Sequence, residues 1–256
     1  MHKHTITCEN DMSNVKNVEA FGKLTGICTG YGGSYKPGKL NLTVNAMANL
    51  LAQAREAIDA VHTAKTNFDN ATNAREEKFR EMQRLCPRII NALKSNGAHA
   101  LTVEDAQASV RKISGRKLPT VSPAPTAPAA TTGNAVAPKS RTRTARGLDF
   151  GSMADHFAKL VETVSSEPSY QPNETELSVD GLTNMLTGLN NLNHAVNLAT
   201  VNLNSLRRNR SALLYSQPNS LVATARAAKQ YVRAAFGTRS PQNDEVTRIQ
   251  FTKPTK

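Results

Sequence analysis

Leu42-Thr43-Val44-Asn45-Ala46-Met47-Ala48-Asn49-Leu50-Leu51-Ala52-Gln53-Ala54-Arg55-Glu56-Ala57-Ile58-Asp59-Ala60-Val61-His62-Thr63-Ala64 is the stretch that decides the fold. Its apolar residues fall at Met47, Leu50, Ala54, Ala57, Val61 and Ala64, and the series continues to Phe68 and Ala71. Steps of three and four put these side chains on one stripe of a helix. A sustained heptad spacing implies shallow helix crossings, as in bundles and coiled coils. Thr43 is placed to cap the helix, with Leu42 before it and Met47 at the fourth helical position, the spacing of a hydrophobic staple.

The same pattern occurs a second time. Ser34-Tyr35-Lys36-Pro37 aligns with Ser169-Tyr170-Gln171-Pro172, and the register then runs without gaps. Leu42 falls on Leu177, Val44 on Val179, Asn49 on Asn184, Val61 on Val196 and Arg75 on Arg210. The second stripe reads Leu182, Met185, Leu189, Leu192, Val196, Ala199, Leu203 and Leu206, with Ser178 as its cap. Upstream, Phe21-Gly22-Lys23-Leu24 resembles Phe157-Ala158-Lys159-Leu160, with one residue inserted in the first copy. Downstream, Val110-Arg111-Lys112-Ile113 echoes Val246-Thr247-Arg248-Ile249 more loosely. A repeat of this kind is read before any single motif. The long helices are expected to run to about residues 83 and 214, with Pro87 and Pro218 each opening another helix.

The expected fold is therefore all-α: an internally duplicated helical bundle. Its two pseudo-symmetric repeats each supply one long helix and shorter return helices. The first stripe is rich in Ala where the second has Leu, so small residues of one copy can face large ones of the other. That favours packing of the two long helices on each other over two separate beads. The division read from the sequence is a disordered tail over 1–16, repeat 1 over 17–117, a Pro/Ala/Thr-rich basic linker over 118–147 and repeat 2 over 148–256.

Composition agrees. The chain has 256 residues, enough for a sizeable core. Hydrophobic residues make up 39% but aromatics only 5%, with no Trp, which suits helix-on-helix packing better than a β-sandwich. The three cysteines, Cys8, Cys28 and Cys86, are odd in number and widely spaced, as for free thiols in a reducing compartment. No apolar leader and no membrane-length apolar run occurs, so the expected location is cytoplasmic.

Arg88-Ile89-Ile90-Asn91-Ala92-Leu93, Val110-Arg111-Lys112-Ile113-Ser114-Gly115-Arg116, and Lys229-Gln230-Tyr231-Val232-Arg233-Ala234-Ala235-Phe236-Gly237 with Ser240-Pro241 carry a resemblance. With the two-copy layout, they resemble a family of uncharacterised proteins from Bacteroidetes bacteria. The resemblance covers most of the chain outside the linker and the first residues. It implies the duplicated helical architecture and no activity.

Little in the sequence points to chemistry. His2, His4 and Cys8 could form a small N-terminal metal cluster, but within a tail; His62 and His194 lie on the long helices without a partner ligand four residues away. Gly26, Gly30, Gly32 and Gly33 lack the order of a phosphate loop and read as a turn into Tyr35. No catalytic residue, cofactor, metal or small-molecule ligand is expected. Arg75 and Arg210 continue the two apolar stripes. A guanidinium there either caps the core and fixes register, the favoured reading, or forms a pseudo-symmetric anion site.

Charge is the remaining clue. The formal net charge is +12, and from Gly181 to Asn243 there is no Asp or Glu. Arg207, Arg208, Arg226, Lys229 and Arg233 lie in that stretch and are the candidate polyanion-binding residues, the last three on one face of a helix. Arg111, Lys112, Arg116 and Lys117 form a second basic cluster and the linker a third. Against this, aromatics for base stacking are scarce, and no helix-turn-helix, zinc-finger or RNA-binding signature occurs. Acidic residues of the first copy, among them Glu56, Asp59, Asp69, Glu76 and Glu77, could neutralise the stripe within the fold. The leading expectation is a non-enzymatic structural or protein-interaction protein that binds a protein partner or self-associates. The alternative is sequence-tolerant nucleic-acid binding. No membrane role is expected.

Overall fold

The computed structural model describes residues 2–115 and 149–252, with side chains from residue 12 onward. Every regular element among them is helical: α1 (His2–Gly30), α2 (Val44–Ser95), α3 (Ala100–Ile113), α4 (Phe150–Ser165), α5 (Val179–Ser211), α6 (Leu221–Phe236) and α7 (Pro241–Thr247). Short 3-10 turns at Gly32–Ser34 and Leu40–Leu42 lead into α2, and a π turn at Ala212–Ser216 follows α5. No described helix is long and apolar enough to cross a membrane.

Both long helices start where the capping pattern places them. The amide of Ala46 donates to Thr43 Oγ1 at 3.3 Å, and that of Gly181 to Ser178 Oγ at 3.0 Å. Each satisfies an amide that the first turn leaves without a helical acceptor. The staple residues Leu42 and Met47, and likewise Leu177 and Leu182, are buried. Ahead of each cap stands the same clasp. Tyr35 donates its hydroxyl to the Leu42 carbonyl at 2.9 Å, and Tyr170 donates to the Leu177 carbonyl at 2.7 Å.

The heptad stripe is buried mainly at one position per heptad: Met47, Ala54 and Val61 on α2, and Leu182, Leu189, Val196 and Leu203 on α5. Of its other members Ala64 is also buried, whereas Leu50, Ala57, Met185 and Leu192 are half-buried.

Two expected boundaries are corrected. α2 runs straight through Pro87 to Ser95, a single helix of 52 residues. Proline removes one helical donor and crowds the carbonyl of Gln83. The apolar stripe nevertheless continues across it at Phe79, Met82, Cys86, Ile89 and Leu93, all buried. Burying those five side chains, at about 1.5–3 kcal/mol each, outweighs the roughly 3 kcal/mol that a proline inside a helix costs. Pro218 instead lies in a real break, between the π turn and Ser220, the residue that precedes α6. At the N-terminus, the tail expected over 1–16 is helical backbone from His2, and Asn14 is already buried. The linker expected over 118–147 falls outside the described residues.

The chain forms two compact units that cut across the sequence halves. The first comprises Met1–Asn70 and Leu198–Lys256, the second Ala71–Asn197. In the first, Val18, Phe21, Leu24 and Cys28 of α1 pack with Leu221, Val222, Ala225, Ala228 and Val232 of α6. A smaller cluster there joins Val61, Ala64 and Phe68 of α2 to Leu203 and Leu206 of α5. In the second, Met153, Phe157, Leu160 and Val164 of α4 pack with Val103, Ala106 and Ile113 of α3 and with Phe79 to Leu93 of α2. Each unit thus joins the lead helix of one sequence half to the return helices of the other.

Candidate functional site

The five candidate polyanion-binding residues belong to the first unit, and the fold divides them. Arg208 and Arg226 are exposed and Arg207 is half-buried. Lys229 and Arg233, on the same face of α6, turn to the chain's own C-terminal stretch. Lys229 Nζ donates to the Ile249 carbonyl and lies 5.3 Å from the centroid of the Phe251 ring. Burial holds its ammonium pKa below the usual lysine value. Arg233 Nε donates to Asn243 Oδ1 at 3.4 Å. Of the acidic residues expected to neutralise the stripe, Asp69 pairs with Lys65 of its own helix. Lys78 pairs with Glu81 and Arg88 with Glu176.

The two stripe arginines are both drawn in. Arg75 lays its guanidinium over the Phe150 ring, 4.1 Å from the centroid, a cation–π contact that holds α2 to α4. Phe150 in turn meets Phe79 edge-on at 4.9 Å. Arg210 is 6% exposed and lies where its charge lowers the pKa of Tyr215, opposing the larger rise caused by burial.

Beside Tyr215 is a polar cluster that the sequence reading did not find. Asn17, wholly buried on α1, donates from Nδ2 to the Thr252 carbonyl at 3.0 Å and accepts the Thr252 amide at Oδ1 at 2.8 Å. Its Nδ2 also donates to the Tyr215 hydroxyl at 2.9 Å, which donates to Asn14 Oδ1 at 2.7 Å. One side-chain amide therefore holds both main-chain groups of Thr252, and the irregular stretch Ile249–Thr252 is fastened across α1. The signal was present as Asn14 and Asn17, three residues apart on one helical face. It was masked by reading residues 1–16 as a tail.

The second unit carries open cavities. One of about 330 Å³ is lined by Glu76, Phe79, Arg80, Gln83, Ile113, Ser114, Phe150 and Met153. Another of about 320 Å³ lies on the other side of Gln83, Ile113 and Ser114, towards Cys86, Pro87 and Val110. A third, of about 530 Å³, mixes Lys78, Arg84 and Arg88 with Glu81 and Glu176 beside Gly181 and Met185.

The remaining candidates are soon placed. Of the glycine-rich stretch, Gly26 and Gly30 belong to α1, and only Gly32, at φ 52°, and Gly33 form the turn ahead of Tyr35. His62 and His194 are exposed. The side chains of His2, His4 and Cys8, as well as Arg116, Lys117 and the linker charges, lie outside the described residues. Among the described residues no group of three His, Cys, Asp or Glu side chains converges as a metal site would require. Cys28 and Cys86 are buried free thiols. Burial pushes Cys28 up to about 11 against an opposing hydrogen bond from Tyr35, and pushes Cys86 up to about 12. Both are therefore held as thiols, poor nucleophiles near neutral pH. Compared with known proteins, the chain has no significant match to a family model, a curated protein or a solved structure.

Proposed function

We propose that this chain is an internally duplicated helical scaffold with a non-enzymatic role, binding a protein partner or further copies of itself. The duplication is supported by paired features at matching register: the clasps of Tyr35 and Tyr170, the caps Thr43 and Ser178, and the drawn-in arginines Arg75 and Arg210. The interaction role is carried by one observation. The first unit recognises a non-helical peptide segment, Ile249–Thr252, through the Asn17 amide and the Lys229 ammonium. Buried polar groups aimed at main-chain atoms are how a protein surface takes hold of peptide. The buried free thiols Cys28 and Cys86 favour a reducing compartment, the cytoplasm.

Polyanion binding is the second reading. Arg208 and Arg226 favour it, because both are exposed in a stretch without any Asp or Glu. Lys229 is tied to the C-terminal stretch, whereas Arg233 is exposed and keeps its terminal guanidinium nitrogens outward of its one contact with Asn243, so Arg207, Arg208, Arg226 and Arg233 would carry the phosphate contacts.

Light scattering of the full chain across a concentration series, beside fluorescence anisotropy with labelled DNA and RNA across a salt series, tests the two readings. The scaffold reading expects self-association or capture of a defined protein, and no steep salt dependence. Tight nucleic-acid binding with a steep negative salt slope, weakened by Arg208→Glu with Arg226→Glu, would replace it. A saturable catalytic activity abolished by one conservative substitution would overturn both.

A further inference from the structure

We infer that the trough of the first unit beneath Ile249–Thr252 is a docking site for an extended segment of a partner protein, and that the chain's own C-terminal stretch is its resident competitor. The inference rests on the reading of the chain as an interaction scaffold. It adds the kind of segment bound and the contact that keeps the site closed.

The trough holds main chain. Asn17 Nδ2 donates to the Thr252 carbonyl at 3.0 Å, and Asn17 Oδ1 accepts the Thr252 amide at 2.8 Å. A neighbouring β-strand offers one residue the same pair of bonds, and here a single side-chain amide supplies both. The clasp is braced from behind. Asn17 Nδ2 also donates to the Tyr215 hydroxyl at 2.9 Å, and Tyr215 donates onward to Asn14 Oδ1 at 2.7 Å. Asn14 and Asn17 are both buried on α1. The amide thus keeps its orientation without the stretch that it grips. At the other end of the trough, Lys229 Nζ donates to the Ile249 carbonyl and lies 5.3 Å from the centroid of the Phe251 ring.

The seated stretch shows which side chains fit. Ile249 and Phe251 are half-buried and pack on the core of the first unit, whereas Gln250 and Thr252 are exposed. This alternation is that of an extended strand. Gln250 turns back to the Thr247 carbonyl at 3.1 Å, and the Thr252 hydroxyl adds a contact of 3.1 Å to Asn17 Oδ1. The segment that fits is therefore extended, with an aliphatic residue and an aromatic one two positions later. Main-chain bonds give the hold and alternate side chains the selectivity, as when a peptide adds to a sheet edge.

The stretch is able to leave without α7. Val246 of α7 is buried, Ser240 Oγ accepts the Asn243 amide at 3.1 Å, and Asn243 Nδ2 donates to the Thr238 carbonyl at 2.9 Å. None of these contacts involves Ile249–Thr252. The stretch itself is held over four residues, two of them with exposed side chains, and segments with so few buried contacts open locally at little cost. While it is seated, a competing segment meets the trough only in the fraction of molecules that have opened. Its apparent affinity falls by that fraction.

The test is fluorescence anisotropy of the full chain with a fluorescein-labelled peptide Arg-Ile-Gln-Phe-Thr-Lys. In Phe251→Ala the chain's own stretch loses its inward aromatic ring while the trough is unchanged. This variant should bind the peptide at least about tenfold more tightly than the parent. Thr252→Pro removes the amide that Asn17 accepts and should have the same effect with Phe251 in place. The peptide with Ala for Phe, and the peptide N-methylated at its Thr, should each bind Phe251→Ala at least about tenfold more weakly. Absence of saturable binding to both variants, binding no tighter than to the parent, or indifference to N-methylation overturns the proposal. A dimer of the parent that Thr252→Pro abolishes would give the trough to the same stretch of a second copy, and would overturn the assignment to a partner protein. A failed titration beside self-association or protein capture by the parent removes the trough alone. Failure of all three removes the scaffold reading with it.

Discussion

Asn17 holds Thr252 by both main-chain groups, Nδ2 to the carbonyl at 3.0 Å and Oδ1 to the amide at 2.8 Å, across 235 residues of sequence. The contact ties the last described residues to the first helix, and it is buried at the Asn17 end. Replacing Asn17 with Ala leaves the Tyr215 hydroxyl and the Thr252 peptide groups short of partners. Asn17→Ala should cost about 2–3 kcal/mol in urea denaturation. In a chain ending at Gln250 the same substitution should cost clearly less, because the groups it served are gone. Equal costs in the two backgrounds would mean that Asn17 acts elsewhere.

The clasps of Tyr35 and Tyr170 should behave as a pair. Removing either hydroxyl strands one buried carbonyl, of Leu42 or of Leu177. Tyr35→Phe and Tyr170→Phe should each lose about 1 kcal/mol, and by similar amounts. Burial raises the Tyr170 pKa from 10.0 to about 12, and raises that of Tyr35 as well. A raised folded-state value means that the protonated phenol is preferred in the fold. Its contribution is complete below the unfolded value and is lost as pH rises through the folded one. For Tyr170 the loss falls between pH 10.0 and about 12. Melting curves across that window should show a shallower alkaline decline in Tyr170→Phe than in the parent.

Charge reversal on the basic face should separate two kinds of residue. Arg208 and Arg226 are exposed, and Arg208→Glu or Arg226→Glu should change stability by no more than about 0.5 kcal/mol. Lys229→Glu removes the donor to the Ile249 carbonyl and sets a carboxylate against it, at a cost of about 2 kcal/mol or more. A binding assay that reverses Lys229 would therefore confuse loosening of the C-terminal stretch with loss of a phosphate contact. Thermal melts of the three variants check the division.

Gly181 is fixed by space. A Cβ built there would lie 2.1 Å from the Thr175 carbonyl oxygen and 3.2 Å from Ser178 Oγ. Ala46, at the matching place in the first copy, carries a Cβ and still donates its amide to Thr43. Gly181→Ala should cost about 1–3 kcal/mol by forcing the turn before α5 to shift, and Ala46→Gly no more than about 1 kcal/mol. Similar costs at the two positions in chemical denaturation would contradict the packing argument.

What the sequence made legible, and what it concealed, follows from the range of the interactions. Thr43, Ser178 and the staple leucines act within one helical turn, so the starts of α2 and α5 were readable. The heptad stripe gave the helical class and the buried positions Met47, Ala54, Val61 and Ala64 on α2 and Leu182, Leu189, Val196 and Leu203 on α5. The joining of α1 to α6 and of α4 to α3 depends on contacts between distant segments, and periodicity does not encode partners. Arg75 was read as a core cap, yet its partner, the Phe150 ring, lies on another helix and offers no charge signal. The Asn17–Thr252 contact was hidden for the same reason, and further by the polar composition of the first sixteen residues. Two of the five basic candidates, Lys229 and Arg233, kept their predicted helical face but found acceptors in the chain's own C-terminal stretch.

Pro87 was read as a helix start because local chemistry argues for one, and the stripe of Phe79, Met82, Cys86, Ile89 and Leu93 overrides it. Pro87 is exposed, so its ring contributes little burial. Pro87→Ala restores an amide able to donate to the Gln83 carbonyl and relieves the crowding there. The variant should be more stable than the parent by about 1–3 kcal/mol, read as a higher urea midpoint at unchanged slope. It should also slow amide exchange over residues 83–91, where the helix lacks one link. A loss of stability would mean that a bend at Pro87 is needed to bring Ile89 and Leu93 into contact with α4.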